Sequence, residues 1–241
     1  MKRVLTTMAL AIGLATAATG AYADLLFDSF GDDDVGVSDN TNNGLPVQGN
    51  WVNVTAGNTD IAGLQRRLTV GKTGGSPSSK VEANVADGVL NYSESTGNPA
   101  AVGFGYADYQ LAGGGTANLS AWQTLSLAIT VIAQDLVAPP PQAGFEMVDG
   151  DGTMLRISTF LTNAAPYTYV AAFSSFTNEG GGDGVFDWTQ FRTARLAVEG
   201  SPSALDISVD IIRTVPEPGS LALLGTALAG IAFVGRRRRQ Q

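Results

Sequence analysis

Between residues 24 and 214 apolar and polar residues alternate at short range, and no long helical repeat interrupts the pattern. Leu125, Leu127, Ile129 and Val131 alternate with Ser126, Ala128 and Thr130, the period of a strand with one buried face. Residues 145–148 and 154–157 flank Asp149-Gly150-Asp151-Gly152, whose composition suits the positive-φ positions of a hairpin turn. Residues 195–198 and 205–211 bracket Glu199-Gly200-Ser201-Pro202 and are predicted to form a second hairpin. Residues 89–92 and 167–173 add further strands, whereas Gly113–115, Gly180–182 and the Asp-, Asn- and Gly-rich segment 31–50 read as loops. Short strands separated by turn residues predict an all-β, antiparallel β-sandwich. A jelly roll is the expected form, because it lets eight or so strands bury one two-sided core.

Composition narrows the class. Of 241 residues, 44% are hydrophobic and 15% charged, which excludes a highly charged disordered chain. Six of the 14 basic residues sit at the chain ends, leaving residues 24–215 with 8 basic and 21 acidic side chains, a net −13. Such a body repels a phosphate backbone, so nucleic acid is not expected as a partner. The chain has no cysteine and no histidine. It therefore has no disulfide, no thiolate nucleophile, no Ser-His-Asp triad and no imidazole base or ligand. Carboxylate chemistry of the glycosidase kind stays open.

Both ends are built for membranes. Lys2-Arg3 is followed by an uncharged run from Val4 to Ala23 that closes on Ala21-Tyr22-Ala23. This order is that of a secretory leader cleaved after Ala23, which implies the Sec translocon and signal peptidase as partners; a permanent transmembrane helix is the other reading. At the far end Pro216-Glu217-Pro218 precedes 17 uncharged residues, Gly219 to Gly235, and then Arg236, Arg237, Arg238 and Arg239. The uncharged run is at the short end of what spans a bilayer as a helix. The prolines keep the preceding segment extended, and the arginines stay cytoplasmic as a stop-transfer signal. An ordinary single-pass anchor would share the last two features.

Pro-Glu-Pro, a short apolar helix and a terminal basic cluster, in that order, resemble the PEP-CTERM sorting signal, which covers about the last 27 residues here. The resemblance implies exosortase, a membrane cysteine protease or transpeptidase, as a partner that recognises Pro216, Glu217 and Pro218. It implies a Gram-negative host that makes an exopolysaccharide or biofilm matrix, an inner-membrane precursor, and a mature protein at the cell surface or beyond it. The expected organisation is a leader over 1–23, a β-sandwich over 24–214 and a sorting signal over 215–241. Asp187-Trp188-Thr189-Gln190-Phe191 with the strand 205–211 is similar to the closing strands of galactose-binding-like jelly rolls. Residues 61–70, with Gly63, Arg66, Leu68 and Val70, look like an early strand of other exported PEP-CTERM proteins.

Candidate chemistry in the middle domain is sparse. Asp149 and Asp151 could hold calcium on their turn, but the turn lacks the third acid and distal glutamate of a full calcium loop, and a plain hairpin is the competing reading. Asp32-Asp33-Asp34 stands likewise between calcium and a solvated acidic loop. Trp51, Trp122 and Trp188 either stack on sugar rings or pack in the core, with Trp188 expected in the core or at its rim and Trp51 exposed. Glu82, Glu94, Glu146 and Asp210 are scattered and form no evident glycosidase couple. The expected function is that of an exported, non-catalytic surface or matrix protein that binds exopolysaccharide, and no enzyme. The alternative is a secreted glycan-active hydrolase or lyase on the same scaffold.

Overall fold

The computed structural model describes residues 24–96, 98–199 and 204–216; the expected leader, residues 200–203 and the sorting segment beyond Pro216 lie outside the described residues. The described chain runs through β1 (Leu26–Asp28), β2 (Asp34–Asp39), β3 (Val47–Gln48), β4 (Val52–Asn53), β5 (Leu64–Gly74), β6 (Val81–Ala86), β7 (Val89–Glu94) and β8 (Val102–Leu111). It continues through β9 (Leu125–Gln134), β10 (Gln142–Asp149), β11 (Met154–Phe160), β12 (Tyr167–Ala172), β13 (Thr177–Gly180), β14 (Phe191–Glu199) and β15 (Asp206–Pro216). A seven-stranded sheet has the order β12-β9-β15-β7-β6-β2, with β1 beside β15. An eight-stranded sheet has the order β13-β11-β10-β14-β8-β5-β3, with β4 also on β5. The pairings are antiparallel, and the chain crosses between sheets from β2 to β3, β5 to β6, β7 to β8 to β9 to β10, β11 to β12 to β13, and β14 to β15, as in a jelly roll.

Alternation decides which face is buried. Leu68 and Val70 on β5, Tyr109 on β8, Phe145 and Met147 on β10 and Leu196 on β14 point inward. They meet Val81, Tyr92, Leu127, Ile129, Ile207 and Val209 of the other sheet in one continuous core. Phe27 of β1 is a hub of this core, edge-on to Tyr109 at 4.9 Å, Phe145 at 5.3 Å, Trp122 at 5.8 Å and Phe191 at 6.2 Å. Beside it, Arg66 and Asp28 form a fully buried ion pair at 2.7 Å, and Arg66 also donates to the Asp32 carbonyl and lies over the Phe30 ring. That guanidinium ties β1 and the following loop to β5.

Two expectations need correction. Segment 31–50 is not wholly loop: Asp34–Asp39 pairs with β6 and Val47–Gln48 with β5. Its abundant turn residues obscure the short Val-Gly-Val and Val-Gln ladders. Residues 195–198 and 205–211 do not form a hairpin, because β14 belongs to the eight-stranded sheet and β15 to the other. The connection is a crossover, which turn composition cannot distinguish from a hairpin. The β10–β11 hairpin forms as expected, with Val148 opposite Met154 and Gly152 at φ 98°.

Candidate functional site

The outward side chains of the eight-stranded sheet fall into rows, because register places one residue of each strand on a common rung. The central rung is Arg67 (β5), Asp108 (β8), Arg195 (β14), Glu146 (β10) and Arg156 (β11), with charge alternating strand by strand. Alternation of sign suits cross-strand neighbours, where like charges repel. Arg195 Nε donates to Asp108 Oδ1 at 2.7 Å, and Thr69 Oγ1 donates to Asp108 Oδ2 at 2.8 Å. Arg67 Nη2 lies 3.6 Å from Asp108 Oδ2, and Arg156 Nε 3.5 Å from Glu146 Oε1.

Rows of different chemistry flank this one. On one side Asn53, Gln65 and Gln110 share a rung, and their amides form a chain: Gln110 Nε2 donates to Gln65 Oε1 at 3.2 Å, and Gln65 Nε2 to Asn53 Oδ1 at 2.9 Å. On the other side stand Tyr106 and Phe104, their rings stacked at 4.9 Å. Gly71 lies opposite Phe104, and a Cβ there would collide with the ring, so glycine is what lets Phe104 lie flat across β5. Arg195 covers the Tyr106 ring at 4.3 Å, and Arg67 the Trp51 ring at 4.4 Å. Burial raises the Tyr106 phenol, opposed by Arg195 and reinforced by Glu199, Glu146 and Asp108, so its hydroxyl stays protonated and able to donate. Trp51, Arg67, Asp108, Gln110, Glu146 and Arg195 line a groove of about 320 Å³. Half-buried aromatic rings beside bidentate polar groups suit a ligand with apolar faces and hydroxyl edges.

The other candidates fall elsewhere. Asp149 is buried and accepts from Gly152 N at 3.1 Å, Thr153 N at 2.9 Å and Asp187 N at 2.7 Å. Asp151 accepts from Thr153 N and Asp183 N, both at 2.9 Å. The hydrogen bond with Asp149, with those amides, holds Asp151 well below the usual carboxylate range. These carboxylates staple the 149–153 turn to the 181–187 loop. Asp32 is likewise engaged by Thr55 and Asn58, and Asp34 opens β2. Among the described residues no group of three or more acids is arranged to hold a metal. Trp122 is core, and Trp188 packs edge-on to Phe173 and Phe186 at 5.2 and 5.0 Å, at the rim. Of the scattered acids, Glu94 is interior and Glu146 on the outer face of the other sheet, so they do not converge.

The sequence flags Trp51, and Glu146 only as a scattered acid, and leaves the rest of the face unmarked. The available signal was the polar half of the β5, β8, β10 and β14 alternations, which means nothing without the register.

The chain carries a PEP-CTERM protein-sorting motif over residues 214–239, the stretch that contains Pro216, Glu217, Pro218 and the four arginines. No curated protein matches the chain. Among solved structures it is similar to a family 11 carbohydrate-binding module from Clostridium thermocellum in complex with a β-1,3-1,4-mixed-linked tetrasaccharide. That match has 15% identity and a TM-score of 0.40, and covers 80% of this chain and 95% of that one. A family 30 carbohydrate-binding module of a cellulosomal cellulase from the same organism matches at 14% identity and TM-score 0.40, over 81% and 99% of the two chains. An agarase matches at 14% identity and TM-score 0.42 over 57% of this chain, which spans only 22% of the agarase's length.

Proposed function

We propose that this protein is an exported, non-catalytic glycan-binding module that reaches the cell surface as an exosortase substrate and holds exopolysaccharide on the outer face of its eight-stranded sheet. In this reading the Sec translocon carries the chain across the inner membrane, and signal peptidase cleaves after Ala23. The apolar run after Pro218 anchors the precursor, with Arg236 to Arg239 inside, and exosortase processes it at Pro216, Glu217 and Pro218. The sorting motif supports this route.

The observation that carries the binding assignment is the charged rung of Arg67, Asp108, Arg195 and Glu146 between Trp51 and Tyr106. Aromatic rings pair with the apolar faces of pyranoses, and fixed guanidinium and carboxylate groups bond hydroxyls two at a time. Extended to Arg156 on β11, the rung crosses four strand spacings, about 19 Å, enough for several linked sugars to lie across the strands. Absence of catalysis is supported by the acids themselves, since Asp108 is held by Arg195 and Thr69, and Glu146 lies beside Arg156.

Affinity electrophoresis through gels containing the host's exopolysaccharide tests the reading. Retardation is expected for the native protein, and a loss of about tenfold or more in affinity for Trp51→Ala and for Arg195→Ala. Unchanged retardation of both variants would move the site elsewhere. Release of reducing ends during the same incubation would favour the hydrolase.

A further inference from the structure

Three of the eight basic side chains in residues 24–215 stand on one rung, and each faces a carboxylate. Asp108 lies between the first two, 3.6 Å from Arg67 Nη2 and 2.7 Å from Arg195 Nε. Arg156 lies between Glu146 at 3.5 Å and Glu199 at 4.0 Å. Three guanidiniums against three carboxylates leave this face without net charge, so the −13 of the body lies elsewhere.

Asp108 is the most firmly held of the three acids. It is buried, and Thr69 Oγ1 donates at 2.8 Å to the same oxygen that faces Arg67. A ring covers one face of each guanidinium beside it, Trp51 over Arg67 and Tyr106 over Arg195. A ligand carboxylate seeking either guanidinium must displace Asp108 or lie beside it, and two carboxylates sharing a site repel. A hydroxyl meets no such penalty, since it donates to a carboxylate and accepts from a guanidinium. The end of the groove adds to the exclusion. Val148 and Met154 line it, the turn between them carries Asp149 and Asp151, and the loop stapled to that turn carries Asp183 and Asp187. Neither 149–153 nor 181–187 contains a basic residue.

We propose that this face selects uncharged glycans, and that Asp108 sets the selectivity by keeping Arg67 and Arg195 from a ligand's acid groups. The inference rests on the binding reading above and narrows it to polysaccharides that offer hydroxyls without uronate, sulfate or phosphate. Retention is then insensitive to salt, unlike binding that neutralises an anionic polymer.

Affinity electrophoresis against matched polymers tests this. Host exopolysaccharide with its acid groups removed or reduced to alcohols supplies the uncharged polymer. Light hydroxyethylation or carboxymethylation of the same batch supplies neutral and acidic derivatives of like size. The native protein is expected to bind the uncharged and hydroxyethyl forms alike, with less than about twofold change between about 20 and 500 mM salt. It is expected to bind the carboxymethyl form at least about tenfold more weakly at the low end of that range. Asp108→Asn should bind the carboxymethyl form at least about tenfold more tightly than the native protein does, a gain that a loosened fold does not produce. Glu82→Gln, which removes one charge from the other sheet, should leave the rejection unchanged. Carboxymethyl polymer bound as well as the uncharged form, with Trp51→Ala still abolishing retention, overturns the selectivity and leaves the face in place. Rejection that Asp108→Asn retains, or that Glu82→Gln relaxes equally, overturns the role of Asp108. Retention of none of the three polymers overturns the binding face itself, and this inference with it.

Discussion

Replacing Glu94 by glutamine should change how the fold responds to pH more than it changes the fold. Glu94 is 2% exposed; its Oε1 accepts from Tyr92 Oη at 2.8 Å and Gly103 N at 3.0 Å, and its Oε2 from Leu205 N at 3.3 Å. It thus joins β7 to the start of β8 in one sheet and to the residue before β15 in the other. Burial pushes its pKa up from 4.5 to about 7, against the three donors and with help from Asp206. Between pH 4.5 and 7 the folded protein therefore keeps a proton that the unfolded chain has lost. The stability this confers is fully present below pH 4.5 and is lost as pH rises through 7. A shift of about 2.5 units at 1.36 kcal/mol per unit is worth about 3 kcal/mol, or roughly 6–12 °C in Tm for a domain of this size. Urea unfolding of native protein and Glu94→Gln at half-unit steps from pH 4.5 to 8 isolates the effect, because all other carboxylates are common to both. The native curve should fall relative to the variant's by about 3 kcal/mol over this window. The variant itself should carry a pH-independent loss of about 1–3 kcal/mol, from an amide facing N–H donors. Parallel pH profiles would refute the reasoning.

Other expectations follow from the same geometry. Asp149→Ala orphans the Asp187 amide and takes one of two acceptors from the amides of Gly152 and Thr153; it should cost about 1–3 kcal/mol in urea unfolding, whereas EGTA should leave the native midpoint unmoved. Arg66→Met leaves Asp28 buried beside no guanidinium and should cost about 3–5 kcal/mol, much of it recovered in Asp28→Asn/Arg66→Met; similar losses in the single and double variants would contradict this. Gly71→Val pushes the Phe104 ring off Tyr106 at the surface, and should weaken exopolysaccharide retardation in affinity gels while shifting Tm by only a few degrees.

How much of this was legible in the sequence depends on range along the chain. Leu125 to Val131 alternate with a period of two, and Asp149 to Gly152 supply turn chemistry between two apolar runs, so β9 and the β10–β11 hairpin could be read locally. The sorting element is contiguous and was read whole. Sheet membership is not local: Glu199 to Pro202 looks like any turn, yet β14 and β15 part company there. β2 and β3 vanish among Asp, Asn and Gly because short edge strands bury few side chains. The candidate binding face was illegible for the strongest reason. Arg67, Asp108, Glu146, Arg156 and Arg195 come from five strands, and only the register of all five puts them on one rung.

The most direct test of glycan binding by that face is a map of backbone amide shifts in the ¹⁵N-labelled protein as fragments of the host exopolysaccharide are added. Perturbations should gather on Trp51, Arg67, Tyr106, Asp108 and Arg195, and spare the outer face of the seven-stranded sheet. Saturating fragments that leave these five resonances unmoved, or that move a cluster on the other sheet instead, would contradict the account.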